Sequence, residues 1–215
     1  MRRLASPSAW KKSRFGTCPD QKRMHTSTSP LRQRTIELAR RICAQNPLYV
    51  DTETTGLRND DEIVEISIVA DDGQVLLETL VRPSRPIPPE ATRIHGITNE
   101  AVRLARPWPL VWSEVKPILS GKVVVFYNAD FDLRMIQQSL ALYKMPFVKN
   151  FQVLDLLKLY AEYRGDWDSA RRSYRYHSLA EAGRQCRIPL PNAHRSTADT
   201  LLTRALLHYI AEEGT

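Results

Sequence analysis

The sequence predicts a mixed α/β fold, a central sheet flanked by helices, and three observations lead there. Short β-branched and apolar segments come first, patterns of helical period follow, and a lone apolar strand at Lys122–Tyr127 sits among the helical patterns. Strands that precede and then alternate with helices pack as a mixed sheet with helices laid over it.

Residues 1–30 combine Arg, Lys, Ser, Thr and Pro without a hydrophobic period, so no core is expected there. Within 31–46, Ile36, Ala39 and Ile42 fall at helical spacing from Thr35 to about Gln45, and Pro47 ends that helix. Leu48–Glu53, Ile63–Ala70 and Gln74–Arg82 read as a three-strand meander, with Asp71–Asp72–Gly73 marking its second turn. The proline-rich stretch 83–89 breaks the pattern. Glu90–Ile94, Asn99–Val102 and Pro109–Leu119 then read as helices, the last from Val111, Val115 and Ile118. After the strand at Lys122–Tyr127, helical patterns recur near 131–143, 155–163, 178–186 and 197–212, with an extended piece near 151–154. The expected organisation is a basic leader over 1–30, a helix over 31–46 and one domain over 47–215.

A chain of 215 residues is long enough for a domain that buries about 70% of its extended surface. The formal net charge of +7 is uneven: residues 1–46 hold 11 Lys or Arg against Asp20 and Glu37, leaving 20 basic and 22 acidic residues elsewhere. Such a leader either contacts phosphates without sequence preference or is simply solvated. Its Arg, Ser and Thr content also resembles a transit peptide, but Pro7, Gly16 and Pro19 interrupt any long amphipathic helix. No run approaches the roughly 18–20 apolar residues of a membrane span, so no membrane partner is expected. Cys18, Cys43 and Cys186 are scattered, odd in number and without C-x-x-C spacing. They read as reduced thiols of a cytoplasmic protein, not as a disulfide framework or a structural zinc site.

Three stretches carry the chemistry. In V-D-T-E-T-T-G-L at 50–57, Asp51 and Glu53 lie two apart on a strand and project from one face. Like charges so placed repel each other, and a hard divalent cation would stabilise both. In V-V-V-F-Y-N-A-D-F-D at 123–132, an apolar strand ends in a polar turn, the place where open α/β sheets put ligand groups. There Asp130 reads as a helix cap through its side-chain oxygen, and Asp132 aims at the sheet edge. In N-A-H-R-S-T-A-D at 192–199, His194 falls in a loop and Asp199 near the start of the last helix. Asp155 and Glu65 read as structural acids.

Taken together, D-T-E-T-T-G-L at Asp51–Leu57, N-A-D-F-D at Asn128–Asp132 and H-R-S-T-A-D at His194–Asp199 resemble the three motifs of the DEDDh 3′→5′ exonuclease family, which includes the proofreading epsilon subunit of bacterial replicative polymerases. I-H-G-I-T at Ile94–Thr98 resembles the substrate-contacting loop between the first two. The resemblance covers about residues 46–212 and implies an RNase H-like fold with a five-stranded mixed sheet. It makes Asp132, not Asp130, the metal-binding acid of the second motif. Two Mg²⁺ or Mn²⁺ ions are implied on Asp51, Glu53, Asp132 and Asp199, with His194 as general base. Substrate contacts are implied at Thr52, Thr54, Gly56, Leu57, Ile94, His95, Asn128 and Phe131. The implied partners are a nucleic-acid 3′ end, DNA ahead of RNA, and a polymerase or repair factor. One departure is Tyr127, where many relatives have His. Between the second and third motifs, Tyr163–His177 interleaves Trp167, Tyr174 and Tyr176 with Arg171, Arg172 and Arg175, a composition suited either to single-stranded nucleic acid or to a solvated loop.

Overall fold

The computed structural model describes residues 29–189 and 195–213, so the leader expected over 1–30 and the general base expected at His194 lie, except for Ser29 and Pro30, outside the described residues. The chain opens with α1 (Pro30–Cys43), followed by a β-meander of β1 (Leu48–Thr54), β2 (Ile63–Val69) and β3 (Val75–Arg82). Next come α2 (Pro89–His95), α3 (Asn99–Val102), β4 (Arg106–Pro107), α4 (Trp108–Leu119) and β5 (Val123–Phe126). The remainder comprises α5 (Ala129–Ala141), β6 (Gln152–Asp155), α6 (Leu156–Arg164), the hairpin of β7 (Trp167–Asp168) and β8 (Ser173–Tyr174), α7 (Leu179–Gln185) and α8 (Ser196–Glu212).

The main sheet runs β4-β3-β2-β1-β5-β6. The β1/β2 and β2/β3 pairs are antiparallel, whereas β1/β5, β5/β6 and β3/β4 are parallel. This is the expected mixed sheet with six strands in place of five. The additional strand, β4, is two residues long and therefore has no period to read. Its Pro107 is tolerated because an edge position leaves no ladder N–H to supply.

Alternation along β1 divides the core. Leu48 and Val50 face α4 and α5 in a cluster with Ile66, Ile68, Trp112, Phe126 and Met135. Tyr49 faces the other way, into a cluster with Ile36, Leu159, Leu206 and Ile210 contributed by α1, α6 and α8. Each such large apolar side chain contributes about 1.5–3 kcal/mol on full burial. The same alternation turns Asp51 and Glu53 toward α8. There the helix presents small polar residues, and Ser67 and Thr200 meet hydroxyl to hydroxyl at 2.6 Å.

Helix α1 starts earlier than its apolar period indicates, because Ser29 accepts the Arg32 N–H at 3.2 Å as N-cap and Pro30 occupies the first turn. The Arg32 guanidinium forms two bonds to Glu213 at 2.8 and 3.0 Å, a third to the Tyr163 carbonyl, and lies 3.9 Å over the Tyr163 ring. At the opposite end of the helix, Cys43 adjoins a clasp in which Asp71 accepts bonds from Tyr49 at 2.8 Å and His208 at 2.9 Å. Among the described residues, no helix is long and apolar enough to cross a membrane.

Candidate active site

Three carboxylates converge where β1 meets α8: Asp51, Glu53 and Asp199 bring oxygen atoms within 4.8 Å of one another. Asp132, buried in the first turn of α5, approaches the same strand and accepts a 2.8 Å hydrogen bond from the Thr52 hydroxyl. Burial and then the charges of Asp132 and Glu53 push the Asp51 carboxyl far above the usual carboxylate range. Glu53 is raised to about 8 by burial and by Asp199, and Asp132 to about 7 chiefly by burial. Partly desolvated oxygens that resist ionisation together, with Arg195 easing Glu53, form a donor set suited to hard divalent cations.

The third motif is held by a carboxylate that is not part of the cluster. Fully buried Glu65 of β2 takes Arg195 in bonds of 2.5 to 3.2 Å and accepts the Ser196 N–H and hydroxyl, both at 3.0 Å. Its pKa is lowered because these bonds outweigh its burial. The first turn of α8, and with it Asp199, is thereby fixed against β2. Arg195→Ala would leave Glu65 without a counter-charge. A loss of about 1–3 kcal/mol is expected, below that of a fully buried pair because the guanidinium is half exposed. A urea midpoint that does not shift at constant m would contradict this.

Asn128 precedes α5 in the left-handed region at φ 75°, which Asn adopts more readily than most residues. The helix has no side-chain cap, so the capping role expected of Asp130 is not found. Asp130 instead reaches Lys158 at 2.7 Å, because α6 brings a cation alongside. Asp155 is structural: it caps α6 through Leu157 N–H at 3.1 Å and accepts the Asn128 N–H at 3.2 Å. Tyr127 donates its hydroxyl to the His177 carbonyl at 2.7 Å, tying the second motif to the segment after β8.

Beside Glu53 opens a cavity of about 480 Å³, lined by Thr52, Thr54, Gly56, Leu57, Ile94, His95 and Phe131. Leu57 and Ile94 expose 76% and 60% of their surface here, an unusual placement for large aliphatic side chains. Thr54 donates to the Gly56 carbonyl at 2.8 Å. A Cβ on Gly56 would fall 2.5 Å from Asp61 Oδ2, and Asp61 is pinned by Thr55 and the Arg58 N–H, so only glycine fits. His95 is buried with both ring nitrogens engaged. Nδ1 accepts the Ile97 N–H at 3.0 Å, which leaves the proton on Nε2 to donate to the Thr54 carbonyl at 3.2 Å. Burial lowers its pKa, and the neutral ring fastens α2 to β1. Asn128 is exposed and does not line the cavity. The lining also includes Arg58, Asp61, Pro88 and Glu90, which the motifs did not single out. Glu90 had a usable signal: it lies four residues before Ile94 on α2, hence on the same helix face.

An RNase H-like sheet with clustered carboxylates along its interior strand β1 is the architecture of a nuclease, a hydrolase of nucleic acid. The RNase_T exonuclease family model matches residues 48–207, and the chain belongs to that family. It is 37% identical over 182 residues to an uncharacterized exonuclease, CP81, of Escherichia phage 186, covering 82% of this chain and 93% of the relative. To the DNA polymerase III subunit epsilon of Treponema pallidum it is 30% identical, over 76% of this chain and 78% of that one. Among solved structures, Exonuclease X in complex with 5′ overhanging duplex DNA superposes with a TM-score of 0.54 at 28% identity, covering 78% of this chain and 93% of that one. The nuclease domain of 3′hExo, a DEDDh family member bound to rAMP, reaches a TM-score of 0.65 at 13% identity over 79% and 93% of the two chains, a likeness of fold. Exonucleases of this kind use divalent metal ions, and the acid cluster fits that requirement.

Proposed function

We propose that the chain removes nucleotides from the 3′ end of single-stranded or frayed DNA, with 47–215 as the exonuclease domain, 31–46 as a helix braced against it and 1–30 as a basic leader. The carrying observation is the convergence of Asp51, Glu53 and Asp199, with Asp132 adjoining, beside a cavity with exposed apolar walls. Asp51, Glu53, Asp132 and Asp199 would hold two Mg²⁺ or Mn²⁺ ions. When bound, such ions supply positive charge to the attacking and leaving oxygens of a phosphodiester. Thr52 holds the Asp132 carboxylate in place through its hydroxyl. Leu57, Ile94 and Phe131 pack on the terminal base, which any base permits, while His95 keeps the Ile94 turn against β1. An imidazole nitrogen of His194 takes the proton of the attacking water. General-base catalysis of this kind is worth about 10²–10⁴-fold.

DNA is favoured because the relatives of higher identity include a polymerase III subunit and an exonuclease solved with DNA. The polymerase subunit among them supports a polymerase partner; a repair factor is the other partner in this reading, and the scattered thiols, Cys43 and Cys186 among them, support a cytoplasmic location. Matched 5′-labelled DNA and RNA strands incubated with Mg²⁺, with Mn²⁺ and with chelator test the reading. The expected result is a metal-dependent ladder shortening from the 3′ end, faster on DNA. A faster RNA ladder would move the substrate to RNA, and binding without shortening would leave a nucleic-acid-binding module.

A further inference from the structure

The cavity beside Glu53 accounts for a single terminal nucleotide, and the remainder of a substrate strand must leave the site somewhere. The cavity is walled by the segment after β1, by α2 and by Phe131 of α5, and β5 and β6 lie across β1 from β2. One exit for a strand with its last base in the cavity and its phosphate at the acids is over the flank of β5, β6 and α6.

That flank carries the hairpin β7–β8. Beside α6, Lys158, Trp167, Tyr174 and Tyr176 line a groove of about 260 Å³, with Glu162 the acidic side chain in its wall. Lys158 also ties the groove to the start of α5, its Nζ lying 2.7 Å from Asp130, and Tyr127 of the second motif bonds the carbonyl of His177 just past the hairpin. Trp167 and Tyr176 leave 56% and 59% of their surface in solvent, and Trp167 meets Tyr174 edge-on at 5.1 Å. The hairpin turn and its exit expose Arg171, Arg172 and Arg175. Among the described residues Arg172 and Arg175 form no ion pair, and Arg171 has only a 3.8 Å approach to Asp168. The hairpin is a fixed feature: the Arg175 N–H bonds the Asp166 carbonyl at 2.8 Å, and Tyr127 holds the following His177. Open aromatic faces beside unpaired guanidinium groups match a single-stranded backbone with unstacked bases.

We infer that this hairpin groove binds the single-stranded nucleic acid lying 5′ of the cleaved bond, with Trp167 and Tyr176 stacking on bases and Arg172 and Arg175 contacting phosphates. The inference rests on the acids being the cleavage site, since that sets where the strand starts. It is tested with the full chain in chelator, so that binding is read without hydrolysis, by fluorescence anisotropy of a 5′-fluorescein single-stranded 12-mer of DNA and its RNA counterpart. Trp167→Ala and Tyr176→Ala are each expected to weaken binding about tenfold, with Trp167→Phe retaining most of it. Arg172→Ala with Arg175→Ala should reduce the slope of log affinity against log salt by about 1.4, at about 0.7 per phosphate lost. Binding of thymidine 5′-monophosphate, confined to the terminal cavity, should not change. Unchanged 12-mer affinity in both aromatic variants, or equal weakening toward the mononucleotide, overturns the inference. Wild type that shows the expected binding pattern yet fails to shorten the 12-mer with Mn²⁺ supports the groove and overturns the catalytic reading instead.

Discussion

Asparagine in place of Asp51 is expected to lower kcat by more than about 10²-fold while raising the melting temperature of the metal-free protein. Supporting partners of metal ligands typically cost 10–100-fold when removed, and Asp51 occupies the centre of the cluster itself. The stability gain has the same origin. Asp51 is held far above its usual pKa by burial and by Asp132, Glu53 and Asp199, so its ionised form opposes folding when no cation is present. An isosteric neutral amide removes one of the repelling charges. A gain of about 1–3 kcal/mol amounts to several degrees for a domain of this size. Thermal melts in chelator at pH 8 and single-turnover cleavage measure the two effects. A lower melting temperature would refute the repulsion argument, and kcat within tenfold of wild type would remove Asp51 from the reaction.

The second large effect is a metal-free stability that declines with pH and is restored by cation. Glu53, Asp132 and Asp51 all bind protons more tightly in the folded chain, Glu53 up to about 8 and Asp132 up to about 7. Between the ordinary carboxylate range near pH 4 and those values the folded state carries more protons than the unfolded one. Stability is therefore fully present below about pH 4 for these groups and is lost as pH rises through 7 and 8. At about 1.4 kcal/mol per unit each group taken alone would account for several kcal/mol, and because the three share one repulsive field their losses overlap instead of adding. A divalent cation that binds only the folded protein returns about 2.7 kcal/mol at one hundred times its Kd. Urea unfolding at pH 5 and pH 8, with chelator or with Mg²⁺, should show the fall and its reversal. A flat profile in chelator would mean that the carboxylates do not share one repulsive field.

Much of this arrangement was legible because it is local. The two-residue spacing of Asp51 and Glu53 fixes their common face once β1 is recognised, and the apolar periods of α4, α5 and α8 locate the helices that cover the sheet. What was not legible depends on distant partners. Asp130 has the look of a cap until Lys158, 28 residues on, draws it away. Arg58 lines the cavity because α2 folds back over the end of β1, a closure made by His95 and Thr54 from 41 residues apart. Strand β4 is too short to have a pattern, and the true start of α1 lies in its Ser29–Pro30 cap instead of its apolar face.

The clamp of Arg32 on Glu213 and Tyr163 also sets the polarity of the whole molecule. Asp199 and Glu213 sit at opposite ends of α8, about 21 Å apart at 1.5 Å per residue. Because α1 begins against Glu213, the first and last described turns are neighbours on the side remote from the acids. A short peptide joining these two turns would permit the chain to be reopened elsewhere as a circular permutant. A module fused at either place would emerge away from Asp199 but beside the end of α6 that leads into the β7–β8 hairpin, and so would report on the groove by occluding it.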